Sequence, residues 1–303
     1  MPQEDLLSTV LSTYQLRAGV YGHPQFCGAW QISTSGHHRS AFHVVGAGSC
    51  WLHMRDGRAP ERLDAGDLVV FPHDAWHMLS GTAELHGEDN IMAPEDGGDG
   101  PFTTLVCGYF EFEAGDKNPI IDALPEVIVV RRADAGDHLE ILSRLLVAEA
   151  HAEGGIGTHT VLDKLADALF VMVVRHHIGQ LADQRGLLAA LADPRLRKAL
   201  SAMHADPARS WTLESLSQIA GMSRASFVQR FSELVGTTPI DYLTRWRMTR
   251  AEMLLRNPQL SVAAIAEQVG YETEASFRKA FKRVHGVGPG SLRRWFRGKL
   301  TQG

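Results

Sequence analysis

The 303 residues carry 30 Lys and Arg against 35 Asp and Glu and are 44% hydrophobic, enough for two ordinary cores. No run of eighteen apolar residues occurs, which excludes a membrane-spanning helix, and the acidic start Met1-Pro2-Gln3-Glu4-Asp5 gives no expectation of a signal peptide. Three cysteines, Cys27, Cys50 and Cys107, are too few for a disulfide framework and suit a reducing cytoplasm, so a cytoplasmic protein is expected.

Residues 20 to about 130 read as short strands punctuated by turns. Ala41–Val45 and Ser49–Met54 flank Gly46-Ala47-Gly48, and Asp56-Gly57 ends the second run as a hairpin signal. Leu63 to Asp67 leads into Leu68–Pro72, and further β-rich runs cover Thr103–Phe112 and Val127–Val130. Several short strands at close spacing predict a sandwich or barrel. Gly87 to Gly100, rich in Glu, Asp, Gly and Asn, predicts a mobile loop.

From Asp137 the apolar period becomes helical, through Leu139, Leu142, Leu145 and Leu146. A second helix is expected over Thr158–Gly179, with an apolar stripe of Leu162, Leu165, Leu169, Met172 and Val173. That stripe is wide enough to serve both a core and a dimer interface. Leu187 to Asp193 reads as a connection, and Pro194 suits the first position of a new helix.

The last hundred residues then repeat one pattern twice. Leu213–Phe231 and Val262–Phe281 each read as a short apolar helix, a glycine, a tight turn and a second helix opening on small polar residues. A Gly-x-x-Pro stretch follows each copy, Gly236 to Pro239 and Gly286 to Pro289. This is the helix-turn-helix plan, whose second helix enters the DNA major groove. Charge agrees with it. Residues 195–303 hold 18 Lys and Arg against 8 Asp and Glu, while residues 1–194 hold 12 against 27. A basic half of that kind supplies the phosphate contacts on which affinity for double-stranded DNA rests.

In each second helix a pair of phenylalanines four apart, Phe227 with Phe231 and Phe277 with Phe281, anchors one face to its core. The opposite face then offers Ser223, Arg224, Ala225 and Gln229 in the first copy, and Thr273, Glu274, Ala275, Ser276 and Lys279 in the second. Gln can read adenine, Glu can accept from cytosine, and Arg or Lys can read guanine or hold phosphate. Ser223 and Thr273 also stand where helix N-caps belong. Pro239 to Leu255 reads as a long helix spacing the two units, with Arg245, Arg247 and Arg250 on its surface.

The stretch from Arg247 through Pro289 resembles the signature of the AraC/XylS family of bacterial transcription regulators, over roughly residues 195–298. The resemblance implies seven helices, two helix-turn-helix units joined by a central helix, a homodimer, and activation through contact with RNA polymerase. In the first half, His43 and the run Gly66-Asp67 to His77 are similar to the two cupin motifs, which place histidines and a carboxylate inside a small β-barrel. Val45 stands where the second cupin histidine belongs, and no convincing glutamate follows it. Gly66-Asp67 and Pro72 also have a sufficient reason to be there as turn formers.

Cys27 and Cys107 resemble the cysteines of the cupin-type subgroup that includes the reactive-chlorine-responsive regulator, which implies oxidant sensing. Two chemistries follow: a Cys27–Cys107 disulfide, or zinc held by His43 and His77 with one or both thiols. The bland account is that these residues only pack. A third use of the barrel is an organic effector lined by Phe42, Trp51, Phe71 and Trp76.

The chain is therefore expected to be a two-domain regulator. It divides into an all-β cupin-like sensor (1–132), a helical dimerisation segment (133–186), a linker (187–194) and an all-α DNA-binding domain (195–303). The rival is a metal-dependent cupin enzyme fused to a DNA-binding domain, which a full metal triad would require.

Overall fold

The structure, a computed structural model, describes residues 7, 8, 11, 14–91, 102–112, 118, 120–152, 155–180 and 186–300. Most of the loop expected over Gly87 to Gly100 lies outside the described residues. Two compact units are present, Leu16–Gln180 and Leu181–Gly303, and the second also takes in Met1–Gln15.

The first unit is a β-sandwich with two helices. One sheet orders β1 (Leu16–Gly22), β9 (Thr103–Phe112), β4 (Ser40–Ala47), β7 (Leu68–Phe71) and β10 (Ile128–Val130), with β2 (Gln25–Phe26) also on β9. The other orders β3 (Gln31–Ile32), β8 (His77–Ser80), β5 (Ser49–Met54) and β6 (Glu61–Asp64). The period-2 alternation of β4 sorts its side chains. Ala41 and Val45 join the core between the sheets with Cys50, Leu52, Phe71, Leu105 and Cys107. Phe42 points the other way, stacking on Phe110, which meets Phe170 of helix α2 (Thr158–Gly179). Gly108 faces Phe42 across the ladder, and an added Cβ there would stand 2.3 Å from the Phe42 ring and 2.5 Å from the Gly19 carbonyl oxygen.

This corrects the lining proposed for an organic effector. Phe42 lies on the helix-covered face, while Trp51 and Trp76 are only half-buried and Arg55 sits over the Trp76 ring. Phe71 alone of the four belongs to the core between the sheets. The turn-forming role of Asp67 holds: its carboxylate accepts from the backbone N of Asp64 (3.0 Å) and Arg132 (2.9 Å) and from the Arg131 guanidinium (2.7 Å).

Helix α1 (Gly136–Ala150) and α2 pack on each other and on the first sheet, so the expected dimerisation segment is part of the sensor unit rather than a separate body. Leu139, Leu146, Leu162, Leu169 and Val173 are buried, but Leu145 is exposed because it falls on the opposite face of α1.

In the second unit the expected linker is a helix, α3 (Leu187–Ala192). Five of its six residues, Leu187 to Leu191, are buried, and Gly186 donates its N–H to the Leu234 carbonyl. An unbroken apolar run cannot stay in water, and this one packs on its neighbours. By contacts the N-terminal residues group with this unit. Residues 7, 8, 11 and 14 are helical; Leu7, Leu11 and Tyr14 are buried, and the Tyr14 ring lies 6.5 Å from Trp246.

Seven helices follow α3: α4 (Pro194–Ala205), α5 (Leu213–Ala220), α6 (Arg224–Val235), α7 (Pro239–Leu255), α8 (Val262–Gln268), α9 (Glu274–His285) and α10 (Pro289–Leu300). Their starts are dictated locally. Asp193, Thr212, Ser223, Thr238, Ser261 and Thr273 each accept a backbone N–H as N-caps. Arg247 on α7 is half-buried, not a surface residue as expected. It donates to the carbonyls of Pro207 (2.7 Å) and Arg209 (2.9 Å), and its guanidinium lies 5.8 Å from the Tyr271 ring. Gly270, at φ +82°, lets the chain pass 2.6 Å from the Ala208 carbonyl oxygen as measured from an ideal Cβ, where no side chain fits. These contacts hold the turn of the second helix-turn-helix unit against α7 and the segment between α4 and α5.

Candidate DNA interface and buried thiol site

Helices α6 and α9 occupy the recognition position of the two helix-turn-helix units. Their buried sides are Phe227, Phe231 and Leu234 in one, and Phe277, Ala280 and Phe281 in the other. The expected DNA-facing residues are consequently turned outward: Arg224, Ala225, Gln229, Ala275, Ser276 and Lys279 are exposed, and Glu274 is half-exposed. Ser223 and Thr273 are exposed as well, yet their hydroxyls accept from Ser226 N and Ser276 N, each at 3.2 Å. Their first role is capping.

The structure adds partners that spacing alone does not reveal. Glu274 accepts from Arg278 Nε at 2.6 Å one turn along, so its carboxylate is already engaged. Gln229 donates to Glu233 at 2.9 Å, and Arg230 pairs with Asp193 at 3.2 Å. Arg230, Arg278, Lys282 and Arg283 are also exposed on the same helices and were missed, although Lys282 and Arg283, three and four residues from Lys279, share its face.

The sensor unit holds a second candidate site. His43 on β4 stands opposite Cys107 on β9 in the ladder, and its Nδ1 lies 3.1 Å from Cys107 Sγ. His77 begins β8 of the other sheet, with Nδ1 2.8 Å from the Ala75 carbonyl and its ring stacked on Phe71 at 3.6 Å. The two Nε2 atoms face each other at 3.4 Å. Thr34, in the segment between β3 and β4, places Oγ1 3.0 Å from His43 Nε2 and 2.9 Å from His77 Nε2. Thr34 was not anticipated; nothing in Ser33-Thr34-Ser35 distinguishes it from a solvated loop residue.

Both imidazoles are buried, as is Cys107. Burial, reinforced by the neighbouring His77, holds His43 well below the ordinary histidine range. Burial lowers His77 to about 4, against smaller opposing effects of the Ala75 hydrogen bond and Asp74. The Cys107 thiol is pushed up by burial and by Cys50, and the buried Cys50 thiol rises to about 12. All these groups are neutral at pH 7.

The proposed zinc set does not come together. The two Nε2 atoms could flank an ion, but Cys107 engages Nδ1, the opposite edge of the His43 ring. Cys27 is further away still. Phe26 pairs with Thr103, four residues before Cys107, an offset of about 13 Å at about 3.3 Å per residue. Cys27 follows Phe26, and one residue moves the chain by only about 3.8 Å, too little to close that offset. No group of three His, Cys, Asp or Glu side chains suited to a metal exists among the described residues. Zinc needs four N, S or O donors and does not fit here. The same offset keeps the Cα atoms of Cys27 and Cys107 beyond the roughly 7 Å that a disulfide spans, and both thiols are free. Nor is a cupin triad built, since Val45 belongs to the apolar core.

Comparison with known proteins agrees with both halves. A cupin family model matches residues 5–179, and a helix-turn-helix domain model matches residues 216–294. The chain is 31% identical to an HTH-type transcriptional regulator of Haemophilus influenzae, over 96% of this chain and 98% of the relative. A Streptomyces lividans protein named as an AraC-like transcription regulator is 32% identical over 97% of this chain and 98% of its own length. The RCS-specific HTH-type transcriptional activator RclR of Escherichia coli is 30% identical over 83% of each chain. No helix among the described residues is long and apolar enough to cross a membrane.

Proposed function

Because the chain belongs to the AraC-like family of helix-turn-helix transcription regulators with a cupin domain, we propose that it is a one-component regulator whose signal enters at the Cys107 thiol. The signal on this reading is a small oxidant. The observation that carries it is the Cys107–His43 contact at 3.1 Å inside a packed core. A thiol attacks an oxidant only as it gives up its proton, and in a dry site that proton needs an acceptor within reach. His43 Nδ1 supplies one. The RCS-specific name of a relative points the same way. We read the unit as a sensor rather than an enzyme, since no group of three metal-ligating side chains exists among its described residues.

On the DNA side, α6 and α9 read successive major grooves through Arg224, Ala225, Gln229, Glu274, Ala275, Ser276 and Lys279, with Ser223 and Thr273 holding the helix starts. Helix α7, 17 residues and about 25 Å long, spaces them. Activation would run through RNA polymerase, in the cytoplasm, as in the family at large.

A homodimer completes the reading. Ile141 and Leu145 are exposed one turn apart on α1, and Val161, Leu165 and Met172 follow helical spacing on α2, with Val161 exposed and the other two half-buried. A second copy of this chain covers these stripes. Replacing Ile141 and Leu145 together by Glu is expected to shift the protein from dimer to monomer in sedimentation velocity; a monomeric wild type would end the dimer reading.

The sensor reading is tested by treating the reduced protein with hydrogen peroxide and mapping oxygen addition by peptide mass. Cys107 is expected to be modified ahead of Cys50, which has no imidazole partner among its described hydrogen bonds. Modification of Cys27 alone, with Cys107 untouched, would contradict it.

A further inference from the structure

We propose that Thr34 is a positioning residue that joins His43 and His77 into a one-way hydrogen-bond relay serving the Cys107 thiol. The proposal rests on Cys107 being the reactive group, and deepens that reading by assigning the path of its proton.

The direction of the relay follows from proton counting. The Ala75 carbonyl can only accept, so His77 Nδ1, 2.8 Å away, carries a hydrogen. Burial keeps His77 neutral, so its Nε2 is a bare acceptor. Thr34 Oγ1 at 2.9 Å therefore donates its single hydrogen to His77 Nε2. With that hydrogen used, Thr34 can only accept from His43 Nε2 at 3.0 Å, which makes His43 the Nε2–H tautomer. His43 Nδ1 is then bare and accepts from the Cys107 S–H at 3.1 Å. Four hydrogen bonds point one way, from thiol to carbonyl; the Tyr21 hydroxyl also lies by the Thr34 hydroxyl and can donate to its second lone pair. The same count lets the two imidazole edges approach to 3.4 Å: His43 Nε2 carries a hydrogen, His77 Nε2 is bare, and the Thr34 hydroxyl lies beside both.

Thr34 is also where this network meets solvent. His43, His77 and Cys107 are buried, whereas Thr34 is half-buried. Its segment is pinned at both sides. The Asp74 carboxylate accepts from Gly36 N (3.0 Å) and His38 N (2.6 Å), and Asn90 Oδ1 accepts from Ser33 N at 2.8 Å. A loop tied down at three backbone N–H groups holds one hydroxyl at fixed distance from two rings.

The chemistry balances with a peroxide as oxidant. The sulfur lone pair attacks one peroxide oxygen, an S–O bond forms, and the O–O bond breaks with its electron pair leaving on hydroxide. The S–H proton passes to His43 Nδ1, the His43 Nε2 proton to Thr34, and the Thr34 proton to His77 Nε2. Hydroxide takes the surplus proton from His77 and leaves as water. Sulfur is oxidised by two electrons to the sulfenic acid, the peroxide is reduced to water, and His43 is left as the Nδ1–H tautomer, while His77 gives up the Nε2 proton and keeps Nδ1–H on the Ala75 carbonyl.

The test uses the full-length protein with hydrogen peroxide as probe. Cys107 oxidation is followed by peptide mass in wild type, Thr34→Val and Thr34→Ser, alongside imidazole 15N–1H correlation spectra. Thr34→Val keeps the shape and removes the hydroxyl. It is expected to slow Cys107 oxidation about tenfold or more, and Thr34→Ser to restore it. The spectra should show His43 as the Nε2–H and His77 as the Nδ1–H tautomer in wild type. A His43 Nδ1–H tautomer, or a Thr34→Val protein that reacts at the wild-type rate, would overturn the relay while leaving Cys107 as the sensor. An unreactive Cys107 in the wild type would instead remove the sensor reading itself, and the function of the relay with it.

Discussion

Phe281→Ala is expected to cost about 3–5 kcal/mol in the DNA-binding unit and to abolish DNA binding, although Phe281 touches no DNA on this account. Its side chain is fully buried, packed on Phe277 at 5.5 Å and stacked on His285 at 4.3 Å. It shares a core with Met248, Leu255, Ile265 and Ala266, which come from α7 and α8. Removing the ring leaves a cavity at the junction of three helices, because neighbours fixed by α7 can close it only in part. Recognition helix α9 then loses the surface that sets its angle. Urea unfolding and DNA titration of the same protein read the two consequences. Lys279→Ala is the control: it is expected to weaken DNA binding while leaving the unfolding midpoint in place, since the side chain is exposed. If Phe281→Ala folded and bound normally, the packing that orients α9 would be wrongly assigned.

The helices were largely legible because their signals are local. Caps, prolines and glycines sit at fixed offsets from an apolar period, so Thr158–Gly179 and Pro239–Leu255 emerge with the bounds the fold has. Strand Thr103–Phe112 is legible for a similar reason, as a long β-rich run. β1, β6 and β8 are not. Leu16–Gly22 includes three small residues, Ala18, Gly19 and Gly22, and β6 and β8 have four residues each, too few to show alternation.

The linker reading of 187–194 failed because a six-residue helix carries no period of its own and is held by tertiary burial. Arg247 failed for the opposite reason: its hydrogen-bond partners lie near residue 208, far along the chain.

The buried site shows the same division. His43, His77 and Cys107 stand out by residue type, and the structure does place them together. Their chemistry was misjudged because a ladder register decides which thiol a histidine meets. The β2–β9 pairing carries Cys27 away, while His43 sits opposite Cys107. Thr34 was invisible, since a hydroxyl in a polar loop acquires meaning only when two rings close on it.

Cys107→Ser is the second change with a large expected effect. Serine is close in size and can still donate to His43, so the fold and the reduced-state DNA affinity are expected to persist. Its hydroxyl does not undergo two-electron oxidation, so the response should vanish. The most direct measurement is therefore affinity for an operator selected from random DNA, taken on reduced and peroxide-treated protein for wild type and Cys107→Ser. Oxidation is expected to change wild-type affinity or DNA footprint and to leave Cys107→Ser unchanged in both. An equal response in the two proteins would place the signal elsewhere and contradict it.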